Sequence, residues 1–102
     1  MEFIESPLFT KLIETYLSVE EYAAFQWHLA LHPEAGSLIV GSGGLRKIRW
    51  GAKGQGKRGG LRTIYYYQAT SSQIWLLTAY TKGEHDTLPP ALLKRIKETL
   101  LS

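Results

Sequence analysis

Signals for helix fill the first third of this chain, stop, and return only near its C-terminal end. The stretch between reads as strand and turn. Ser6-Pro7 is a helix start, an N-cap serine followed by proline at the first helical position. Leu8, Phe9, Leu12, Ile13 and Tyr16 then recur at helical spacing, which gives one apolar face. Ser18-Val19-Glu20-Glu21 matches a capping box and opens a second helix. Tyr22, Phe25, Gln26 and Leu29 form its stripe, with Trp27 and Leu31 on the flank. His32-Pro33 ends it, because the residue before proline avoids the helical region. Phe3-Ile4 ahead of both helices reads as a short first strand.

Past Pro33 the punctuation changes. Leu38-Ile39-Val40 is a short strand candidate and Gly41-Ser42-Gly43-Gly44 a turn. Residues 45–50 read as a strand, with Arg46, Ile48 and Trp50 on one face and Leu45, Lys47 and Arg49 on the other. Residues 51–60 hold five glycines and three cations and are expected to form a flexible basic loop. Residues 62–67 and 73–80 read as two more strands joined by a polar turn over 69–72. Thr87-Leu88-Pro89-Pro90 opens a last helix, with Leu92, Leu93, Ile96 and Leu100 inward and Lys94, Arg95 and Lys97 facing water. The expectation is one α+β domain over residues 1–102. Two N-terminal helices and one C-terminal helix pack on one face of a mainly antiparallel sheet of about four or five strands.

Charge narrows the function classes. Residues 1–36 carry one basic and six acidic side chains, a net −5; residues 37–62 carry seven basic and no acidic ones, +7; residues 63–102 carry four and three, +1. The sum is the overall +3. A basic block of that density projects a positive potential suited to a nucleic-acid backbone. The alternatives are a solvated loop without a partner, or a face that docks an acidic protein. The chain has no cysteine, which excludes a disulfide scaffold, cysteine-ligated zinc and a thiol nucleophile. No apolar run approaches the roughly 18 residues of a membrane span. Met1-Glu2-Phe3-Ile4-Glu5 does not read as a signal peptide, so the expected location is the cytoplasm. His28 and His32 have metal-compatible spacing, but no third ligand is evident, and neither metal nor cofactor is expected. A nucleotide phosphate loop is excluded, since no Gly-x-x-x-x-Gly-Lys-Ser/Thr occurs.

The residues then suit contact with a nucleic-acid phosphate, RNA or DNA. Lys47 and Arg49 are two apart on a strand and share a face, and Arg62 opens the next strand. If those strands pair antiparallel, the three converge on one phosphate. Arginine holds two phosphate oxygens in a fixed fork and stays charged, and lysine supplies a point charge or, if crowded by cations, a base. The alternative for Arg62 is a structural ion pair with an N-terminal glutamate. For Lys47 and Arg49 it is phosphate positioning without a catalytic part. Arg46, Lys53, Lys57 and Arg58 are candidates for RNA-backbone contacts. Of the tyrosines at 65–67, Tyr66 shares a face with Ile64 and Arg62 and is the candidate to stack on a base. Trp50 and Trp75 are expected in core or sheet-edge packing.

The stretch Gly43-Gly44-Leu45-Arg46-Lys47-Ile48-Arg49, with Lys53-Gly54-Gln55-Gly56-Lys57-Arg58-Gly59-Gly60-Leu61-Arg62-Thr63-Ile64-Tyr65-Tyr66-Tyr67, resembles the RelE/HigB superfamily of bacterial toxins, most closely its HigB-like branch. Leu76-Leu77-Thr78-Ala79-Tyr80-Thr81-Lys82-Gly83-Glu84 and the distal leucine-rich helix continue the resemblance over nearly the whole chain. It implies a small α+β fold of RelE type, a metal-independent endoribonuclease that cuts translated mRNA on the ribosome, and a cognate antitoxin protein that neutralises it. It also implies catalytic roles for Lys47, Arg49 and Arg62, and places Tyr80 and Lys82 near the site. The chain departs from one family pattern: Lys-Arg-Glu reads Lys82-Gly83-Glu84, and Leu88-Pro89 stands where some members have a tyrosine. Lys47, Tyr80, Lys82 and His85 all stay open as the general acid or base. The competing reading is a non-catalytic RNA- or DNA-binding module that uses the same basic patch.

Overall fold

A computed structural model describes the backbone of residues 1–52, 56–81 and 89–101, and the side chains of these other than 52 and 56–59. The order is β1 (Glu2–Glu5), α1 (Pro7–Tyr16), α2 (Val19–Leu31), β2 (Ser37–Leu38), β3 (Arg46–Ala52), β4 (Gly56–Gln68), β5 (Gln73–Thr81) and α3 (Pro90–Leu101). The strands form one five-stranded sheet in the order β1-β5-β4-β3-β2. Only β1 runs parallel to its neighbour; the other pairs are antiparallel. The fold is therefore α+β, with two N-terminal helices and one C-terminal helix. No described helix is long and apolar enough to cross a membrane.

The helix starts follow their local chemistry. Ser6 Oγ accepts from the Phe9 N–H at the head of α1, and Pro7 occupies the first turn. Ser18 Oγ accepts from Glu21 N–H while the Glu21 carboxylate accepts from Ser18 N–H, which completes the capping box of α2. α2 ends with His32 as its C-cap, one residue before Pro33.

The expectation that all helices lie on one face is corrected. Phe9, Ile13 and Leu17 from α1 and Phe25 and Leu29 from α2 pack with Ile48, Leu61, Tyr65, Ile74 and Leu76 on one face. Leu93, Ile96 and Leu100 of α3 pack with Leu45, Ile64, Leu77 and Tyr80 on the other. The reason is the stretch from Leu76 to Tyr80, apolar but for Thr78, which is buried throughout. A strand apolar on both sides needs cover on both. An irregularity between Ile64 and Tyr65 in the β4–β5 ladder accommodates the extra Leu77 and turns it toward α3.

Three boundaries also differ. The basic stretch over 51–60 is mostly strand: β3 runs to Ala52 and β4 starts at Gly56, with a register shift between Trp50 and Ala52. Its glycines lower strand propensity, but ladder pairing between β3 and β4, with Ala52 opposite Gly56, overrides it. The strand expected at 38–40 shrinks to Ser37–Leu38, because Gly41, Gly43 and Gly44 take positive φ and turn the chain immediately. In α3, Leu92 is exposed rather than inward. Lys97 is not free in water but donates to the Gly43 carbonyl at 2.7 Å, with its Nζ 4.3 Å from the Tyr66 ring centroid.

Candidate nucleic-acid interface

Arg49 of β3 lies directly opposite Arg62 of β4, and Arg62 lies opposite Tyr80 of β5. Lys47, two residues along β3, is opposite Ile64. Opposed residues, and every second residue along a strand, project from the same face. The structure thus brings Lys47, Arg49, Arg62 and Tyr80 together on the α3 side of the sheet. Lys47 and Arg49 are exposed and Arg62 is half-buried. Tyr80 is only 3% exposed and belongs to the core under α3.

Arg62 donates from Nη1 to the carbonyl of Gly60 at 2.8 Å, which holds its guanidinium along its own strand. The ion pair with an N-terminal glutamate does not form. Among the described residues the ion pair is Arg46 with Glu34, at 3.4 Å. No described carboxylate pairs with Lys47, Arg49 or Arg62. Like charges directly opposite on a ladder repel, and an anion between them removes the cost. The planar forks of two arginines have the geometry to hold a phosphate.

Arg46 does not join this row. It lies opposite Tyr65, on the α1–α2 face, one residue out of step with Lys47. Its Nη1 donates to the carbonyls of Gly36 at 2.7 Å and Glu34 at 3.2 Å. Tyr65 works on the same segment: its hydroxyl donates to the Pro33 carbonyl at 2.8 Å and accepts from the Gly36 N–H at 2.9 Å. Burial pushes the Tyr65 phenol above its ordinary pKa. Gly36 is required here, because a Cβ would stand 2.8 Å from the Tyr65 ring and 3.0 Å from the Lys47 carbonyl oxygen. The pinning of residues 33–36 by Tyr65 and Arg46 was not evident in the sequence. A glycine shortly after Pro33 was the one local hint.

Tyr66 is half-buried, with Lys97 over its ring. Lys53, Lys82 and His85, together with Gly83, Glu84 and Leu88, lie outside the described residues. Lys57 and Arg58 belong to β4, but their side chains are not among those described.

A groove of about 870 Å³ runs beside the cation row, along the outer edge of β3. Lys47, Arg49, Trp50 and Gly51 line it from the strand, with His28 and Ala35 from outside the strand. Trp50 is half-buried; Phe25 meets it edge-on at 5.4 Å, and the His28 ring lies 5.2 Å away. His28 also packs against His32 at 5.3 Å. Among the described residues no three histidine, aspartate or glutamate side chains gather as a metal site needs. No known family model matches the chain.

Proposed function

We propose that this chain is a toxin of a type II toxin–antitoxin system, of RelE/HigB type. In this reading it is an endoribonuclease that works in the cytoplasm, cuts mRNA on the translating ribosome and is held in check by a cognate antitoxin protein. The observation that carries the reading is the row of exposed Lys47 and Arg49 with half-buried Arg62, in which two arginines face each other without a described carboxylate. The sequence resemblance and the α+β layout support it.

The chemistry is attack of a ribose 2′-hydroxyl on the adjacent phosphorus, with loss of the 5′-oxygen. The new bond gives a 2′,3′-cyclic phosphate and the departing oxygen takes a proton. Charge builds on the non-bridging oxygens in the transition state. In this reading Arg62, steadied by the Gly60 carbonyl, and Arg49 opposite it bind those oxygens. Lys47 adds positive potential and is one candidate base; Tyr80, Lys82 and His85 complete the candidates for proton transfer.

A second reading keeps the RNA contact and drops the cleavage. The burial of Tyr80 favours it, because a phenol inside the α3 cluster is poorly placed to give a proton to a substrate. The test is to add the purified chain to ribosomes translating a defined message and map breaks by primer extension, beside Arg62→Ala and naked RNA. Breaks that need translation and vanish with Arg62→Ala support the toxin. Breaks on naked RNA keep the nuclease without the ribosome. RNA retained without breaks favours the binding module.

A further inference from the structure

The edge of β3 changes character halfway along. β2 pairs only with Arg46 and Lys47, so from Ile48 onward this edge has no described strand beside it. Arg49 and Trp50 are consecutive there, and their side chains leave the strand on opposite sides. Both are nonetheless among the residues that line the same groove. One wall is cationic, from Lys47 and Arg49. The other is aromatic, from Trp50 and His28.

This pairing of chemistries fits one ligand class. A nucleotide carries an anionic phosphate and a flat, polarizable base a few bonds apart. We propose that the groove is a base-binding subsite for single-stranded RNA: one nucleotide straddles the edge of β3, its phosphate against Lys47 and Arg49 and its base against Trp50 and His28. The inference rests on the nucleic-acid reading of the cation row and adds to it the place where a base is held.

The surroundings are those of a preformed site. Phe25 backs Trp50 from the core, so the indole does not have to be ordered on binding. Tyr65 and Arg46 pin the segment that carries Ala35 and lines the groove opposite the strand. Stacking on an aromatic platform needs no particular base, so the subsite reads the presence of a base rather than its identity.

Gly51 offers a clean way to close the groove. It lines the groove, and a Cβ built on it meets nothing within 4 Å, so a larger side chain enters open space. The experiment compares two short fluorescein-labelled probes of equal length, both 2′-O-methylated to block cleavage, one with bases and one abasic. Fluorescence anisotropy reads their binding to the wild-type chain and to Gly51→Leu, His28→Ala and Arg49→Ala. The expected result is that wild type holds the base-bearing probe about tenfold more tightly. His28→Ala brings that ratio toward one with abasic binding unchanged, Gly51→Leu narrows the groove and brings the ratio toward one, and Arg49→Ala weakens both probes alike. Should His28→Ala fail to fold, Gly51→Leu decides. A wild-type ratio near one, or a ratio that survives in folded Gly51→Leu, overturns the subsite while leaving the nucleic-acid reading intact. Retention of neither probe overturns both.

Discussion

The two faces of the sheet are made by alternate residues of the same strands, and they have opposite fates. Under α1 and α2 the face closes over Phe9, Phe25, Leu61 and Tyr65, and Arg46, the one arginine described on it, is absorbed by Glu34 and two carbonyls. On the other face α3 covers Leu45, Ile64, Leu77 and Tyr80, while Lys47 and Arg49 remain exposed beside half-buried Arg62. Arg46 and Lys47 are neighbours in sequence, and strand parity alone sends them to different surroundings. A cation on this sheet is structural where the chain supplies oxygen atoms for it. Lys47 and Arg49 have no described carboxylate beside them, and Arg62 meets only the Gly60 carbonyl of its own strand.

That contrast can be broken from either side. Tyr65→Ala should be the most damaging change, since it empties a fully buried site and frees the Pro33 and Gly36 backbone groups. A loss of about 3–5 kcal/mol is expected in urea denaturation. Arg62→Ala acts on the other face: cleavage during translation should fall about 100- to 1,000-fold with the thermal midpoint nearly unchanged. Gly36→Ala forces its new Cβ against Tyr65 and should cost about 1–3 kcal/mol by the same denaturation.

Charge removal on β3 sharpens the comparison. Arg49→Gln relieves its repulsion with Arg62 and should raise stability by about 0.2–1 kcal/mol at low salt, with the gain shrinking as salt is added. Arg46→Gln should lower stability, because it abandons the Gly36 and Glu34 carbonyls. Denaturation of the two variants side by side checks the opposite signs. Alkaline titration probes the covered face. Burial and the Glu5 hydrogen bond raise the Tyr22 phenol, and burial raises Tyr65, both from an ordinary value of 10.0. Above about pH 10 the unfolded phenols ionise while the folded ones keep their protons, so stability falls as pH rises. Tyrosinate absorbance should track unfolding in that range, and Tyr22→Phe should flatten the fall.

Helix starts were legible in the sequence because their chemistry is local. Ser6, Pro7, Ser18 and Glu21 act within a few residues of themselves. The shared side of Lys47 and Arg49 was legible for the same reason, since alternation along one strand fixes it. Arg62 facing Arg49 needed the register between two strands, which residues 51–60 obscured by pairing where a loop was expected. The two-sided cover of the sheet was written in the nearly unbroken apolar run of β5, but the run does not say which helix goes to which side. The engagement of Arg46 and the open edge of β3 stayed hidden, because each depends on where the short strand β2 stops.

Ser6 has a consequence for the order in which the molecule assembles. Its hydroxyl caps α1 and also donates to the carbonyl of Leu77, 71 positions away, beside the parallel pairing of β1 with β5. The strands that bear Lys47, Arg49 and Arg62 pair through short chain reversals and can form among themselves early. The first strand and helix cannot be seated until β5 exists, and closing so long a loop slows that step. The central strands are therefore expected to form before the N-terminal segment covers them, and the return of that segment to the sheet is expected to be the slow step.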